Sequence, residues 1–318
     1  MELTGRVPLA VLPTPLQESL QLRKALGVSD TLLVKRDDLT GFAFAGNKAR
    51  QLELLLGELK ETGADVLVTG GTLGSNFVQA AAAAAAYAGV RCVLVLAGPE
   101  RPGTAHPSLA AALAWGAEPR WTGTDDRSDI DVLLPEVAAD LAAGGARPYV
   151  APPDGASATG ALGYRLAVDE LVSQLGGLLP LVLVPTGAGG TQAGLVAGVV
   201  AHGRGIRVVG ASVSRPADEV AARVLELSRE VAARRGEELP VAADVEVVDA
   251  RGPGHGLASE AGNRAADVAL RTAGLVLDPV YTAKALATLP ALAGDRPNVF
   301  WHTGGLLDAV AALLAERR

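Results

Sequence analysis

Short apolar runs alternate with longer amphipathic segments along most of the chain. Runs of four to seven mainly apolar residues predict buried strands at residues 31–35, 65–69, 91–97, 181–185, 207–211, 245–248 and 298–301. Segments with apolar residues at helical spacing predict helices between them, among others at residues 49–62, 161–175, 192–201 and 216–235. Alternating strands and helices form right-handed βαβ crossovers and parallel sheets covered on both faces. The pattern therefore predicts an α/β fold with twisted, parallel-rich sheets flanked by helices.

The length of 318 residues exceeds that of a typical small domain and favours two domains. The loop near Gly46 and the loop at residues 154–160 are the candidate points at which the chain passes from one domain to the other. We predict a larger domain formed by residues 1–50 and 161–318 and a smaller domain formed by residues 51–160.

Composition excludes several classes of function. The net charge of −7 argues against a nucleic-acid partner, which would need a basic face. A single cysteine, Cys92, rules out an internal disulfide, and its apolar surroundings predict a core residue. The N-terminal residues do not have the pattern of a secretory signal, and no apolar stretch has the length of a membrane span. We expect a cytoplasmic protein with no membrane partner, and no metal site is predicted.

Lys48 draws attention because lysine is scarce here and because of its position. The chain has five lysines, and Lys48 follows a Gly-Asn pair and precedes a predicted helix. A lysine amine that loses its proton in an apolar site becomes a nucleophile, whereas arginine keeps its charge. The alternative is a solvated lysine near a helix N-terminus, since lysine side chains are usually exposed.

The segment TGAGGTQAG, residues 186–194, follows a predicted strand and opens a predicted helix. Its glycines allow consecutive main-chain N–H groups to converge at a helix N-terminus, which is an arrangement that binds phosphate. It lacks the Lys-Ser/Thr pair of a Walker loop. The alternative is a tight strand-to-helix turn whose glycines serve packing.

A second strand-to-helix loop, TGGTLGSN at residues 69–76, admits two functional interpretations. It could bind a nicotinamide dinucleotide, although Asn76 replaces the last glycine of that pattern and no Tyr-x-x-x-Lys pair is present. It could instead present Ser75 and Asn76 to a substrate or cofactor. A helix cap by Ser75 is the simplest alternative.

Two further segments complete the candidate chemistry. The turn HTGG, residues 302–305, follows the last predicted strand, and DPVYTAK, residues 278–284, offers Tyr281 and Thr282. A lone loop lysine, a phosphate-binding loop, a Ser-Asn pair and a Tyr-Thr pair match the aldehyde, the phosphate and the flat ring of pyridoxal 5′-phosphate. Together they suggest this cofactor, held as a Schiff base.

The ordered set of motifs resembles one enzyme family over nearly the whole chain. The segments KRDDLTG and GNKAR, the pair Ser75-Asn76, GALGY, GAGGTQAGL, LDPVYTAKA and HTGG stand in the order found in the D-cysteine desulfhydrase / 1-aminocyclopropane-1-carboxylate deaminase family. These are pyridoxal 5′-phosphate enzymes of the tryptophan-synthase-β-like fold type II. The resemblance implies a homodimer in which the larger domain binds the cofactor.

The resemblance also implies roles for individual residues. Lys48 would bind the cofactor aldehyde and later move the Cα proton, and Ser75 would contact the substrate carboxylate. Tyr281 would stack near the ring, and Thr303 or Thr282 would face the pyridine nitrogen. The implied cofactor-binding residues are Lys48, Asn76, Ala188, Gly189, Gly190, Thr191, Tyr281 and Thr303. The substrate-side candidates are Ser75, Asn76, Phe77, Tyr164 and His255.

The resemblance favours β-elimination from D-cysteine, which yields a keto acid, ammonia and sulfide. Deaminases of the family carry an acid after the tyrosine of DPVY, where this chain has Thr282, and a hydroxyl at the pyridine nitrogen leaves the ring unprotonated. The chain departs from the family pattern at Phe77, Gln79 and His255, all near the expected substrate pocket. Deamination of a cyclopropane amino acid, racemisation, a nicotinamide-dependent reductase and a non-catalytic cofactor-binding protein remain the alternatives.

Overall fold

The computed structural model describes residues 5–102 and 105–315. Within these residues the chain alternates between strands and helices as the apolar pattern predicts. The strands are β1 Leu16–Glu18, β2 Leu32–Arg36, β3 Val66–Gly71, β4 Arg91–Leu96, β5 Glu118–Trp121, β6 Pro148–Val150, β7 Leu181–Thr186, β8 Arg207–Ser212, β9 Glu246–Asp249 and β10 Asn298–His302. The helices are α1 Leu20–Leu26, α2 Lys48–Glu61, α3 Asn76–Ala88, α4 Pro107–Ala114, α5 Ser128–Ala143, α6 Ala158–Leu175, α7 Gly190–Ala201, α8 Ala217–Arg235, α9 Glu260–Ala273, α10 Thr282–Leu292 and α11 Leu306–Ala315.

The strands form two sheets, each with an order that differs from the order along the chain. One sheet has six strands in the order β1-β2-β10-β7-β8-β9, and the other has four strands in the order β5-β4-β3-β6. The β1 strand pairs antiparallel with β2, and the other pairs in both sheets are parallel. The predicted α/β fold with parallel-rich sheets flanked by helices is therefore confirmed.

Contacts within the chain divide it into two compact units. The first contains residues 5–10 and 48–160 with the four-stranded sheet, and the second contains residues 11–47 and 161–315 with the six-stranded sheet. The domain boundaries that we infer from the sequence, 1–50 with 161–318 and 51–160, stay a prediction, and residues 1–4 and 316–318 lie outside the described residues.

The contacts of Glu53 explain why residues 5–10 belong with the first unit. Its carboxylate is buried on α2 and accepts hydrogen bonds from the Arg6 guanidinium, at 2.9 and 2.6 Å, and from the main-chain N–H groups of Leu9 and Ala10. A carboxylate buried without such donors would be costly, so these contacts hold the segment on the helix. The apolar pattern of the sequence does not predict these contacts.

Glycines end several helices at the places that the sequence indicates. The α1 helix stops at Gly27, with φ 69°, and the α3 helix stops at Gly89, with φ 72°. In both cases the residue takes the left-handed conformation, in which glycine has no steric penalty, and its N–H bonds the last turn. The observed bounds differ from the predicted ones by one to three residues, as at α2, which begins with Lys48 itself, and at α6, which begins three residues before the predicted start.

The α6 and α7 helices approach each other through glycine. A methyl group placed on Gly194 would lie 2.1 Å from the carbonyl oxygen of Ala161 and 2.5 Å from Cβ of Tyr164. One placed on Gly198 would lie 2.5 Å from a methyl of Val168. The α7 helix can therefore pack close to α6 because residues 194 and 198 have no side chains.

We expect Gly194→Ala to lower the free energy of unfolding by about 1–3 kcal/mol, because overpacking forces helices or rotamers to shift. The matched control is Gly294→Ala, since a methyl group on Gly294 meets no atom within 4 Å. Denaturant unfolding of both variants and wild type measures the difference. Equal stability of the two variants would contradict the close helix approach.

Candidate functional site

The loops of the first unit that carry candidate residues lie at a topological switch point. The β3 strand pairs with β4 on one side and with β6 on the other, so the chain continues outward in one direction and later returns beside β3. Ligands of open α/β sheets bind outside the carboxyl ends of strands at such points. The loops that follow β3 and β6 contain residues 72–75 and 151–157.

The amine of Lys48 lies in this loop region of the first unit. Its Nζ donates a hydrogen bond of 3.2 Å to the main-chain oxygen of Asp154, and it lies 5.9 Å from the ring centroid of Phe77. Burial lowers the pKa of Lys48 below its usual value, and the Asp154 carboxylate opposes that shift. A larger share of this amine is therefore neutral at a given pH than of an exposed lysine.

Ser75 and Asn76 form the start of α3 in the same unit. Ser75 Oγ accepts the N–H of Val78 at 3.4 Å, so the serine does cap the helix. The Oδ1 atom of Asn76 is buried and has no hydrogen-bond partner among the described residues. An unsatisfied buried acceptor is costly, and a ligand that donates a hydrogen bond would satisfy it.

Phe77 is fully buried against the loop after β6. A methyl group on Gly155 would lie 2.7 Å from Cε2 of Phe77, and Gly155 has φ 69°. The ring therefore fills space that a glycine leaves open, near the Lys48 amine. The family pattern has a polar residue at this position, whereas this chain has the apolar ring of Phe77.

The phosphate-binding loop predicted from the sequence begins at the end of β7, in the second unit. Gly189 has φ 90° and is the residue before α7, which begins at Gly190. The first N–H groups of a helix have no intrahelical partner, and the helix dipole adds partial positive charge there. A side chain on Gly187 would meet Cε1 of Tyr281 at 3.2 Å, and one on Gly189 would meet Val224 at 3.2 Å.

Asn47 connects this loop to the turn after β10. Its Nδ2 donates to Thr191 Oγ1 at 3.0 Å, and its main-chain N–H donates to the oxygen of Thr303 at 2.8 Å. Gly46 comes so close to the same turn that a methyl group on it would lie 2.2 Å from that oxygen. The β7 and β10 strands are neighbours at the switch point of the six-stranded sheet, which explains why their loops meet.

Asp278 fixes the segment that carries Tyr281 and Thr282. Its buried carboxylate accepts the N–H groups of Val280, Tyr281 and Thr282 at 3.0, 2.6 and 2.9 Å. The Thr282 hydroxyl donates to the same carboxylate at 2.5 Å and accepts the Asp278 N–H at 2.8 Å. Burial raises the pKa of Asp278, and these hydrogen bonds oppose that shift.

The two threonines proposed for the pyridine nitrogen differ in their contacts. Thr282 is fully buried, and its hydroxyl is occupied by Asp278 as described above. Thr303 is 8% exposed. This geometry favours Thr303 as the hydroxyl that can meet a ligand.

His255 and Tyr281 form a ring contact in the second unit. Their centroids lie 6.3 Å apart with the planes at 81°, which is an edge-to-face arrangement. The buried Lys284 amine donates to the oxygens of Arg251 and Gly254 at 2.7 and 2.8 Å, which anchors the loop that carries His255.

Tyr164, which the resemblance implies on the substrate side, is a buried residue of the second unit. It is 0% exposed, and its hydroxyl donates to Asp37 Oδ2 at 2.6 Å. Asp37 also accepts the Trp301 indole N–H at 2.8 Å, and the two rings are in edge contact. The hydroxyl of Tyr164 thus satisfies a buried carboxylate, a role that spacing in the sequence does not reveal.

Cys92 is buried on β4, as its apolar surroundings predict. Burial raises the pKa of its thiol to about 12, so it stays protonated and is a poor nucleophile. In the part of the chain that the structure describes, no three His, Cys, Asp or Glu residues are grouped as a metal site would require. Among the same residues, no helix has the length and apolar character needed to cross a bilayer.

Comparison with known proteins identifies the chain as a whole. A family profile described as "Pyridoxal-phosphate dependent enzyme" matches residues 7–304. The chain belongs to the pyridoxal-phosphate-dependent enzymes. The resemblance that the motifs suggest is thereby confirmed, and pyridoxal phosphate is the cofactor of the family.

Several relatives of this pyridoxal-phosphate-dependent enzyme match over nearly their full length. The chain is 36% identical over 312 residues to proteins named D-cysteine desulfhydrase from Salmonella choleraesuis (strain SC-B67) and Salmonella typhi, with 94% of each chain covered. A solved structure described as an ACC deaminase homologue is 33% identical, with a TM-score of 0.90 over 98% of this chain and 96% of the other. The serine racemase of maize, at 17% identity and a TM-score of 0.68 over 96% of this chain and 92% of the other, shows the shared fold alone.

The residues present fit pyridoxal phosphate. A phosphate suits the glycine-lined N-terminus of α7, where a Cβ on Gly187 or Gly189 would lie only 3.2 Å from Tyr281 or Val224. A hydroxyl of the cofactor suits the buried Oδ1 of Asn76, an acceptor that lacks a partner among the described residues. An aldehyde suits the Lys48 amine, whose pKa burial lowers.

The structure brings forward two residues that the sequence does not single out. Asp154 contacts Lys48 and has φ 62°, and Asn47 joins two glycine loops. A weak signal for Asp154 exists, because Asp-Gly after two prolines is typical of a turn. The contacts themselves depend on residues far away in the sequence.

The contacts of Asp278 lead to a prediction that separates the two threonines. We expect Thr282→Val to lower the free energy of unfolding by about 1–3 kcal/mol, since it leaves a buried carboxylate and an N–H short of a partner. Thr303→Val should leave stability nearly unchanged and alter the absorbance of the bound cofactor. Unfolding and absorbance spectra of both variants test this, and the reverse pattern would assign the ring nitrogen to Thr282.

Asp308 leads to a prediction about pH. Burial, with a further contribution from the charge of Asp278, raises its pKa to about 7. The folded protein therefore binds more protons than the unfolded chain between about pH 4 and pH 7, and stability falls as pH rises through that range. We expect Asp308→Asn to stabilise the protein more at pH 8 than at pH 5.

Thermal unfolding at the two pH values measures this effect. The matched control is Asp295→Asn, because Asp295 is exposed. If the stability gained by Asp308→Asn does not depend on pH, the Asp308 carboxyl does not have the raised pKa.

Proposed function

We propose that the enzyme catalyses β-elimination from a small amino acid with a thiol at Cβ, most simply D-cysteine, to give a keto acid, ammonia and sulfide. The observation that carries the proposal is the Lys48 amine, whose pKa burial lowers, in a chain that belongs to the pyridoxal-phosphate-dependent enzymes. An amine with a lowered pKa can both hold the cofactor and exchange a proton with the substrate.

Pyridoxal 5′-phosphate, when bound, delocalises the electron pair left at Cα after proton removal. The N–H groups of residues 188–191 would hold its phosphate, Asn76 its 3′-oxygen, and Thr303 would face its pyridine nitrogen. Tyr281 would stand beside the ring, since Asp278 fixes its main chain and its own ring borders Gly187. Lys48 would take the Cα proton, and Ser75 would bind the substrate carboxylate.

The substrate class is supported by the relatives and by one residue. Proteins 36% identical over 94% of the chain are named D-cysteine desulfhydrases. The residue after Tyr281 is Thr282, whereas the resemblance implies an acid at this place in deaminases. The Thr282 hydroxyl donates to the Asp278 carboxylate, so this place carries a hydroxyl where the resemblance implies an acid in deaminases.

Deamination of 1-aminocyclopropane-1-carboxylate is the second candidate. This candidate is supported by the likeness to the ACC deaminase homologue, which has a TM-score of 0.90 at 33% identity. That substrate carries no thiol, so its conversion gives ammonia and a keto acid without sulfide. A homodimer and a cytoplasmic location remain predictions from the resemblance and from the sequence.

The first test is the absorbance of the purified protein. We expect a band at roughly 400–430 nm, as for a lysine-linked cofactor, which Lys48→Ala abolishes. The control is Lys60→Ala, because Lys60 lies exposed at the other end of the same helix. Loss of the band in both variants or in neither would contradict the role of Lys48.

The second test is a panel of D- and L-amino acids and the cyclopropane amino acid, assayed for keto acid, ammonia and sulfide. D-Cysteine should give all three products in equal amounts in the wild type and in Lys60→Ala, and none in Lys48→Ala. Ammonia without sulfide from the cyclopropane substrate would favour the deaminase. Binding of NADPH without the absorbance band would instead indicate a reductase.

A further inference from the structure

Asp154 has a backbone conformation that requires a reason. It has φ 62° and ψ 3° in the turn formed by Pro153–Gly155. Residues other than glycine in the left-handed region are uncommon, although Asp and Asn are enriched there, and such conformations concentrate at functional sites. In this turn the main-chain oxygen of Asp154 receives the hydrogen bond from Lys48.

The side chain of Asp154 is held by a cation from another element of the same unit. Its Oδ2 lies 3.4 Å from Nη2 of Arg127, the residue before α5, and the side chains are 19% and 39% exposed. An ion pair with this exposure contributes little to stability. It does restrict the direction in which the carboxylate points.

The groups around the Lys48 amine are of distinct chemistry. Phe77 from α3 contributes an apolar ring, and the loop after β6 contributes the oxygen and the carboxylate of Asp154. Burial lowers the pKa of Lys48, and Asp154 is the carboxylate whose charge raises it. Arg127 acts on that carboxylate through the ion pair.

We propose that Asp154 is a positioning residue for Lys48: its main-chain oxygen holds the free amine, and its carboxylate, oriented by Arg127, sets the charge of that amine. The proposal rests on the proposed function, in which Lys48 leaves the cofactor when substrate binds and must then receive a proton at a defined place. An amine without this neighbour would be neutral over a wider range of pH and free to rotate.

The scarcity of lysine allows a direct measurement in the full-length protein. With five lysines, reductive methylation with carbon-13 gives at most five lysine signals by NMR, and Lys48→Arg assigns that of Lys48. In the cofactor-loaded protein the Lys48 amine should be bonded to the cofactor and should not be methylated. Its signal should appear when the protein is methylated after the cofactor is removed. A Lys48 signal of full intensity in the loaded protein would contradict the proposed function without affecting the test of Asp154.

The test of Asp154 is the pH titration of that signal in the cofactor-free protein. Asp154→Asn keeps a residue that tolerates the left-handed conformation and removes the charge, so the Lys48 midpoint should fall by about half a unit or more, a threefold or larger change in proton affinity. Asp154→Gly should give the same fall and covers the case in which the Asn variant fails to fold. The matched control is Asp131→Asn, an exposed carboxylate of the same unit, which should leave the midpoint unchanged.

A second comparison isolates the backbone conformation. Asp154→Ala and Asp154→Gly both remove the charge, but alanine disfavours the left-handed conformation and should withdraw the oxygen from the amine. At a pH above both midpoints, we expect cofactor-free Asp154→Ala to recapture pyridoxal 5′-phosphate several-fold more slowly than Asp154→Gly, as followed by absorbance. Midpoints of Asp154→Asn and Asp154→Gly equal to that of wild type, or equal recapture rates for the Ala and Gly variants, would overturn the proposal.

Discussion

The two hydrogen bonds of Asn47 are the constraint on which the arrangement of the second unit's loops depends. One reaches the start of α7 at Thr191, and the other reaches the turn after β10 at Thr303. The loops come from neighbouring strands of one sheet, and Asn47 fixes them to each other at 3.0 and 2.8 Å. The next residue along the chain is Lys48, so the chain is anchored in the second unit immediately before the helix that bears the amine.

Most of the fold could be predicted from the sequence, and the reason is local. Apolar runs, glycine after α1 and α3, and glycine-rich loops after β3, β7 and β10 each act over a few residues. The order of the strands in the two sheets could not be derived in this way. It depends on contacts between residues hundreds of positions apart, as where β10 inserts between β2 and β7.

The cofactor is suggested by the residues themselves, whereas the roles of individual side chains are predicted only from the resemblance. The resemblance implies Thr303 or Thr282 at the pyridine nitrogen, and the two hydroxyls differ because Asp278 occupies that of Thr282. The resemblance implies Tyr164 on the substrate side, and the sequence does not reveal that its hydroxyl donates to the buried carboxylate of Asp37. Burial explains both contacts, because a buried carboxylate requires hydrogen-bond donors around it.

The contact between Gly46 and Gly304 has a consequence for the evolution of the family. A methyl group on Gly46 would lie 3.0 Å from Cα of Gly304, and one on Gly304 would lie 2.9 Å from Cα of Gly46. A side chain at either position would clash with main-chain atoms of the other loop. A substitution at the other position cannot relieve that clash, because main-chain atoms are present whatever the residue. Both glycines should therefore be retained in relatives that act on other substrates. Their retention would reflect the close packing of two loops. It would carry no information about which amino acid the enzyme uses.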